Sequence, residues 1–278
     1  MHFHLKPEGI EKQAKRRGQG DPFLLTPTNS IHEISMSTSM SVEEITQPIM
    51  HVSHASAVVL HGDKLFFFGG YNQDGNAATT SIISFDGNNW KSEGNMNYAR
   101  ANASAVTLQE EIYVFCGESN GSYIRKTEIF SGGQCVEDQQ IQSGYDRKCA
   151  ATVAVGDNAF TIGGLYRYQT YTTYGNYTYI DKVQHNTTRI DIRNRQKFDG
   201  HNLNEGRHSF GTSMVGSKIF VCGGLNAKSQ PVNSIEVLDT TNINNNTPWT
   251  ILQQNPPCQL GQTSALLFGD DQMLVLGE

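Results

Sequence analysis

No stretch of this 278-residue sequence approaches the roughly 18 consecutive apolar residues of a membrane-crossing helix. The start, MHFHLKPEGIEKQAKRRGQG, lacks the apolar core of a secretory signal. Its KQAKRR run reads as a solvated polar leader rather than a nuclear address. The formal net charge of −6 gives no electrostatic reason to expect nucleic acid or an anionic membrane. The five cysteines (Cys116, Cys135, Cys149, Cys222 and Cys258) are odd in number and include no CxxC pair, which argues against zinc. Buried free thiols in a reducing compartment fit better, so the expected location is cytoplasmic, with nuclear and extracellular sites left open. The nine histidines form no HExxH motif, and no cofactor or metal is expected. Five glycosylation sequons (Asn102, Asn120, Asn176, Asn186 and Asn245) are about what a chain rich in Asn, Ser and Thr carries by chance.

What is present is a repeat. Ser53 to Gly70 reads SHASAVVLHGDKLFFFGG, and it returns without a gap as RANASAVTLQEEIYVFCG, RKCAATVAVGDNAFTIGG, RHSFGTSMVGSKIFVCGG and GQTSALLFGDDQMLVLGE. The copies start at 53, 100, 147, 207 and 261, spaced 47, 47, 60 and 54 residues apart. A fixed block with elastic spacers at this period is the mark of a repeat architecture.

Each block reads as a hairpin. Strand a is small and apolar, a polar turn follows, and strand b is continuously apolar and suited to burial on both faces. A variable loop then leads to strand c, which ends in an apolar residue and Asp or Ser, as at Phe85-Asp86. Strand d opens with a large apolar residue: Trp90, Val136, Phe198 or Trp249. Four short strands per unit predict an all-β propeller over residues 22–278, behind a disordered polar leader at 1–21. Residues 31–46 (compare NSIHEIS with NSIEVLD at 233) read as an orphan c–d pair completing the last, truncated unit.

The units resemble the Kelch repeat family. The resemblance rests on the Gly pairs Gly69-Gly70, Gly163-Gly164 and Gly223-Gly224, with Gly117 alone in the second unit, and on Phe85, Trp90 and Trp249. Arg100, Arg147 and Arg207 match the Arg that opens a unit in that family. Kelch propellers usually carry six or seven blades, so five visible units leave open a small ring or part of a larger propeller. The resemblance implies a scaffold or substrate adaptor that binds protein on the face carrying the b–c and d–a connections.

Two candidate binding elements fall on that face. Arg100, Arg147 and Arg207 would converge from successive units and receive an acidic peptide, or else pair with loop carboxylates such as Glu118 or Asp146. The third unit carries an insertion in which Tyr166, Tyr168, Tyr171, Tyr174, Tyr177 and Tyr179 alternate with polar residues around Gly175-Asn176. It reads as an extended hairpin, either an interface or one packing its own aromatics crosswise. The expected function is non-enzymatic protein binding; a propeller enzyme of the oxidase or sugar-isomerising type and an extracellular binding module are the alternatives.

Overall fold

In the computed structural model every regular element is a β-strand among the residues it describes: 3–5, 23–25, 31–36, 40–46, 57–72, 74–142, 147–171, 176–242, 247–252, 261, 263–268 and 272–277. None of them forms a helix, and so none forms a helix long and apolar enough to cross a membrane.

Four blades are complete. The first runs Ala57–His61, Lys64–Phe68, Ser81–Phe85 and Trp90–Asn95 as strands a to d. The second is Ser104–Leu108, Glu111–Phe115, Lys126–Ser131 and Gln134–Gln142. The third is Ala151–Val155, Asn158–Ile162, Thr187–Asp191 and Gln196–Asp199. The fourth is Gly211–Val215, Lys218–Cys222, Ile235–Asp239 and Thr250–Ile251. In each, neighbouring strands pair antiparallel in the order a-b-c-d. The fifth unit supplies only a and b, Thr263–Phe268 and Gln272–Gly277. The architecture is an all-β propeller of four-stranded blades.

Packing explains the sequence pattern. The a strands of successive blades lie against one another from the first to the fifth, so they form the crowded innermost layer and are built of small residues. Larger apolar residues sit outside them, between blades. Phe66, Phe68, Ile82 and Met96 of the first blade interlock with Ile112, Val114 and Phe130 of the second. Val106, Tyr113, Phe115 and Ile129 of the second meet Ala159, Ile190 and Ile192 of the third. Val153, Phe160 and Ile162 of the third meet Ile219, Val221 and Trp249 of the fourth.

The glycine that ends strand b has a steric cause. Gly69 has φ +66°, and a Cβ there would stand 2.0 Å from the carbonyl oxygen of Arg100 in the next blade. The amide of Gly70 donates to that same carbonyl at 2.9 Å. Gly117 and Gly164 repeat the bond to Arg147 and Arg207, each at 2.9 Å. These hydrogen bonds join one blade to the next, and a side chain would hold them apart. Cys116 holds a left-handed φ of 60° in the second blade, at the place Gly69 and Gly163 fill in theirs.

Several expectations need correction. Val136 and Phe198, at the place Trp249 holds in its blade, are 54% and 38% exposed where Trp249 is 4%. Residues 31–46 do not complete the last unit. Ile31–Met36 pairs with Met40–Thr46 and with Phe23–Leu25, forming a separate three-stranded sheet. The strand added to the last unit comes instead from the polar leader: Phe3–Leu5 pairs antiparallel with Met273–Val275. Cys116, Cys135, Cys149 and Cys222 are free thiols, with Cys116 and Cys222 buried; Cys258 lies outside the described residues. Burial pushes the Cys222 thiol up to about 12.

Candidate functional site

The b–c and d–a connections emerge at one end of the blades, and the arginines start from there. They do not face outward. Arg100, Arg147 and Arg207 are all at 0% exposure. Nη1 of Arg100 donates to the carbonyls of Cys116 (2.9 Å) and Lys126 (3.1 Å), and Nη2 to Glu128 at 2.5 Å. Arg207 repeats the pattern with Gly223 (3.1 Å), Ser234 (2.9 Å) and Glu236 (2.6 Å). Arg147 reaches the carbonyls of Gly163 (3.3 Å) and Asn186 (3.2 Å), and Thr188 Oγ1 at 3.0 Å.

This placement has a backbone reason. Strand b ends at the glycines and strand c begins after a loop, so the two strands part and leave carbonyls without ladder partners. The fan of guanidinium donors satisfies both sets at once. Burial pulls the Arg207 pKa down, and the Glu236 carboxylate pulls the other way. The carboxylates are also fully buried and well supplied: Glu128 accepts from Asn97 N (2.6 Å) and Nδ2 (3.1 Å), and Glu236 from Asn204 N (2.7 Å) and Nδ2 (2.9 Å). An arginine column open to an acidic peptide is therefore absent from these three blades. Arg100 and Arg207 do pair with carboxylates, but with those of strand c rather than the loops. Glu118 takes Lys148 instead, and Asp146 lies outside the described residues.

A sequence signal for this existed and was missed. Asn-x-x-Arg precedes the second and fourth blades, at Asn97–Arg100 and Asn204–Arg207, and the same two blades carry Glu in strand c. The third has Gly144 before Arg147 and Thr188 in strand c; the first has Ser53 and Ile83. Asn and Glu come and go together, while the third blade keeps its arginine without either.

Two residues beyond each arginine the chain reaches the innermost layer. Asn102, Cys149 and Ser209 adopt left-handed φ of 54°, 52° and 52°. Cys149 N donates to the Asn102 carbonyl (3.0 Å) and Ser209 N to the Cys149 carbonyl (3.2 Å), an arc of peptide hydrogen bonds through three blades.

Above this arc the b–c loops are tied by charge. Glu118, 6% exposed, accepts from Tyr71 of the first blade (2.9 Å), Asn102 (3.3 Å) and Lys148 (3.0 Å). Lys148 also reaches Asp181 at 3.4 Å. Asp181 is gripped by Arg167 through two donors, at 2.8 and 3.2 Å. The Arg167 guanidinium lies 4.8 Å from the centre of the Tyr123 ring and bonds the Gly121 carbonyl. Burial and then Glu118 push the Tyr71 hydroxyl up to about 12. Burial works to raise Asp181, but the Arg167 hydrogen bonds outweigh it, with the Lys148 charge helping, and hold that carboxyl low. Both carboxylates are thus committed to cations that brace the loops.

The braced element is the tyrosine hairpin, Leu165–Tyr171 with Tyr177–Val183. Tyr171, Tyr177 and Tyr179 share one face at 68%, 59% and 63% exposure. Tyr168 and Ile180 are exposed on the other, while Tyr166 is half-buried near the root. Tyr171 and Tyr177 stand opposite each other, their rings 4.6 Å apart and their hydroxyls at 2.9 Å. They pack crosswise and still present most of their surface. Tyr174 lies outside the described residues.

The comparisons agree with this architecture. Residues 206–243 match the family model for the Kelch motif. The matched stretch is the fourth unit. It spans Arg207, Gly223, Gly224 and Glu236, so the buried arginine and its carboxylate fall within it. The solved structure of YjhT superposes with a TM-score of 0.62 at 12% sequence identity, covering 79% of this chain and 71% of that one. At that identity the likeness concerns the fold alone. A search of curated proteins found no match. No group of three His, Cys, Asp or Glu among the described residues is arranged to hold a metal ion.

Proposed function

We propose that this propeller is a protein-binding module whose contact element is the tyrosine hairpin of the third blade. The observation that carries the reading is the combination of rigid root and exposed tip. The root is fixed to the second blade through Arg167, Asp181, Lys148 and Glu118, and the tip presents Tyr171, Tyr177 and Tyr179 to solvent. Tyrosine presents a large amphipathic area with little rotamer entropy to lose, and a braced hairpin loses little backbone freedom on binding. The partner is a protein rather than an acidic peptide selected by arginines, since those cations are enclosed. Scaffold and adaptor roles both fit such a surface.

The test replaces Tyr171, Tyr177 and Tyr179 together by Ser. One hot-spot tyrosine contributes about 2 kcal/mol, or roughly thirtyfold in affinity. In quantitative affinity capture, partners of the wild type should fall at least tenfold with the variant, while the melting temperature stays within about 2 °C. A partner set unchanged by the triple substitution would refute the proposal.

A further inference from the structure

The tip of the tyrosine hairpin holds two phenols in contact. Tyr171 ends one strand, Tyr177 opens the other, and the register sets them directly opposite each other. Opposed residues of an antiparallel pair carry their Cβ atoms about 5 Å apart on one face, so two large rings placed there meet. The ring centroids are 4.6 Å apart with the planes tilted by 40°, and the hydroxyl oxygens approach to 2.9 Å. Both residues stay open to solvent, Tyr171 at 68% and Tyr177 at 59%. The two rings are therefore closest at their hydroxyl ends and accessible from outside.

Other phenols keep different company. Tyr71 donates to Glu118 (2.9 Å), Tyr113 to Glu111 (3.0 Å) and Tyr98 to Glu137. A carboxylate beside a phenol offers no ring carbon for coupling, and Tyr113 is in any case buried at 1% exposure. Tyr168 is exposed, but it stands opposite Ile180 on the other face of the hairpin. Among the described residues, Tyr171 and Tyr177 are the tyrosines whose hydroxyls meet.

The geometry points to Tyr171 and Tyr177 as an oxidative cross-linking site, joined as dityrosine by a one-electron oxidant of the haem-peroxidase class acting on hydrogen peroxide. Each phenol gives up one electron and its hydroxyl proton and becomes a phenoxyl radical. The unpaired electron is shared with the ring carbons beside the C–O bond. Two such carbons, one from each ring, form the new C–C bond. The hydrogen on each then moves to its phenol oxygen as the ring becomes aromatic again, which restores both hydroxyls. In all, two electrons and two protons leave the pair, and they reduce one hydrogen peroxide to two waters. The hydroxyl contact brings these ring carbons together, and rings this exposed displace nothing as they close. A partner held in contact reacts ahead of one arriving from solution, because its translational freedom is already lost. The bond closes a covalent ring around residues 172–176 and fixes the tip of the hairpin, as a disulfide fixes a loop. The site stands whether or not the hairpin also binds protein.

The test treats the full chain, kept dilute, with a haem peroxidase and hydrogen peroxide, and reads dityrosine by its fluorescence and by mass spectrometry. The wild type should lose two hydrogen atoms and still run as a single chain on a denaturing gel. The loss should map to the tryptic peptide 168–182, with backbone fragmentation suppressed between 171 and 177. The dityrosine yield should fall roughly tenfold or more for Tyr171→Phe and for Tyr177→Phe, each of which keeps the ring and removes the phenol. Tyr168→Phe, on the opposite face, should match the wild type. Melting temperatures equal to the wild type's separate loss of the phenol from loss of the fold; should either variant melt early, the fragmentation map of the wild type decides. A wild type that forms no intrachain dityrosine, a yield unmoved by both substitutions, or a bond mapped to any other pair of tyrosines overturns the inference. So do covalent dimers formed in place of the intrachain product.

Discussion

Glu236→Gln tests whether the arginines belong to the interior. Arg207 and Glu236 meet at 2.6 Å with both side chains at 0% exposure. The substitution keeps the shape of the side chain and an oxygen for the Asn204 amides, but removes the charge. It leaves a buried guanidinium with only carbonyls and a hydroxyl around it. Breaking a buried pair from one side costs about 3–5 kcal/mol, because the remaining charge stays desolvated. For a domain of this size each kcal/mol lowers the melting temperature by roughly 2–4 °C. We expect a loss of about 3 kcal/mol in urea unfolding. The Arg207→Met/Glu236→Gln double variant should be no worse than the more damaging single variant, a coupling of about 2 kcal/mol. Glu128→Gln should behave alike through Arg100. A loss below about 1 kcal/mol at both glutamates would mean that water screens these pairs as it does surface ones. That result would refute the interior role and restore a solvent-facing arginine column.

Other consequences are equally direct. Gly69→Ala puts a Cβ against the Arg100 carbonyl at a left-handed φ, so urea unfolding should show a loss of at least about 1–3 kcal/mol from the backbone conformation alone; a neutral variant would show that the blade contact is looser than described. Trp249→Ala should cost about 3–5 kcal/mol, since the ring is 4% exposed and its indole N–H donates to Thr187 at 3.0 Å and the His201 carbonyl at 3.1 Å. Trp90→Ala, at a half-buried ring tilted against Phe85 and Phe67, should cost less, and calorimetry of the two ranks them. Burial, and then Lys148, lower the His208 pKa in the folded state. The unfolded chain therefore takes up this proton first. The stability His208 gives is complete above its ordinary pKa of about 6.5 and declines as pH falls through that value toward the folded one. His208→Gln should flatten the stability slope between roughly pH 7 and 5, and identical slopes would dismiss the role.

Much of the architecture was legible from the chain alone. Five gap-free copies fixed strands a and b and the hairpin turn in every blade, because small residues, an apolar run and a glycine stop are each dictated by local geometry. The third-unit insertion also read correctly as a two-stranded hairpin, since tyrosines alternating with polar residues have a period of two. The orphan segment at 31–46 did not: its alternation gives strands but does not say which sheet edge they join. Nor could the pattern foresee Phe3–Leu5 as a strand, because three residues carry no period.

The arginine column divides the two levels most clearly. Its recurrence, and at Arg100 and Arg207 its company with Asn three residues earlier and Glu in strand c, is written in the sequence. Whether those cations face a partner or the protein's own carbonyls is a question of where strands b and c part and what the next blade covers. Only the packing of blade on blade answers that. It turned three candidate binding residues into internal ties. It left the tyrosine hairpin, whose root is clamped by four charged residues from two blades, as the exposed element of the candidate face.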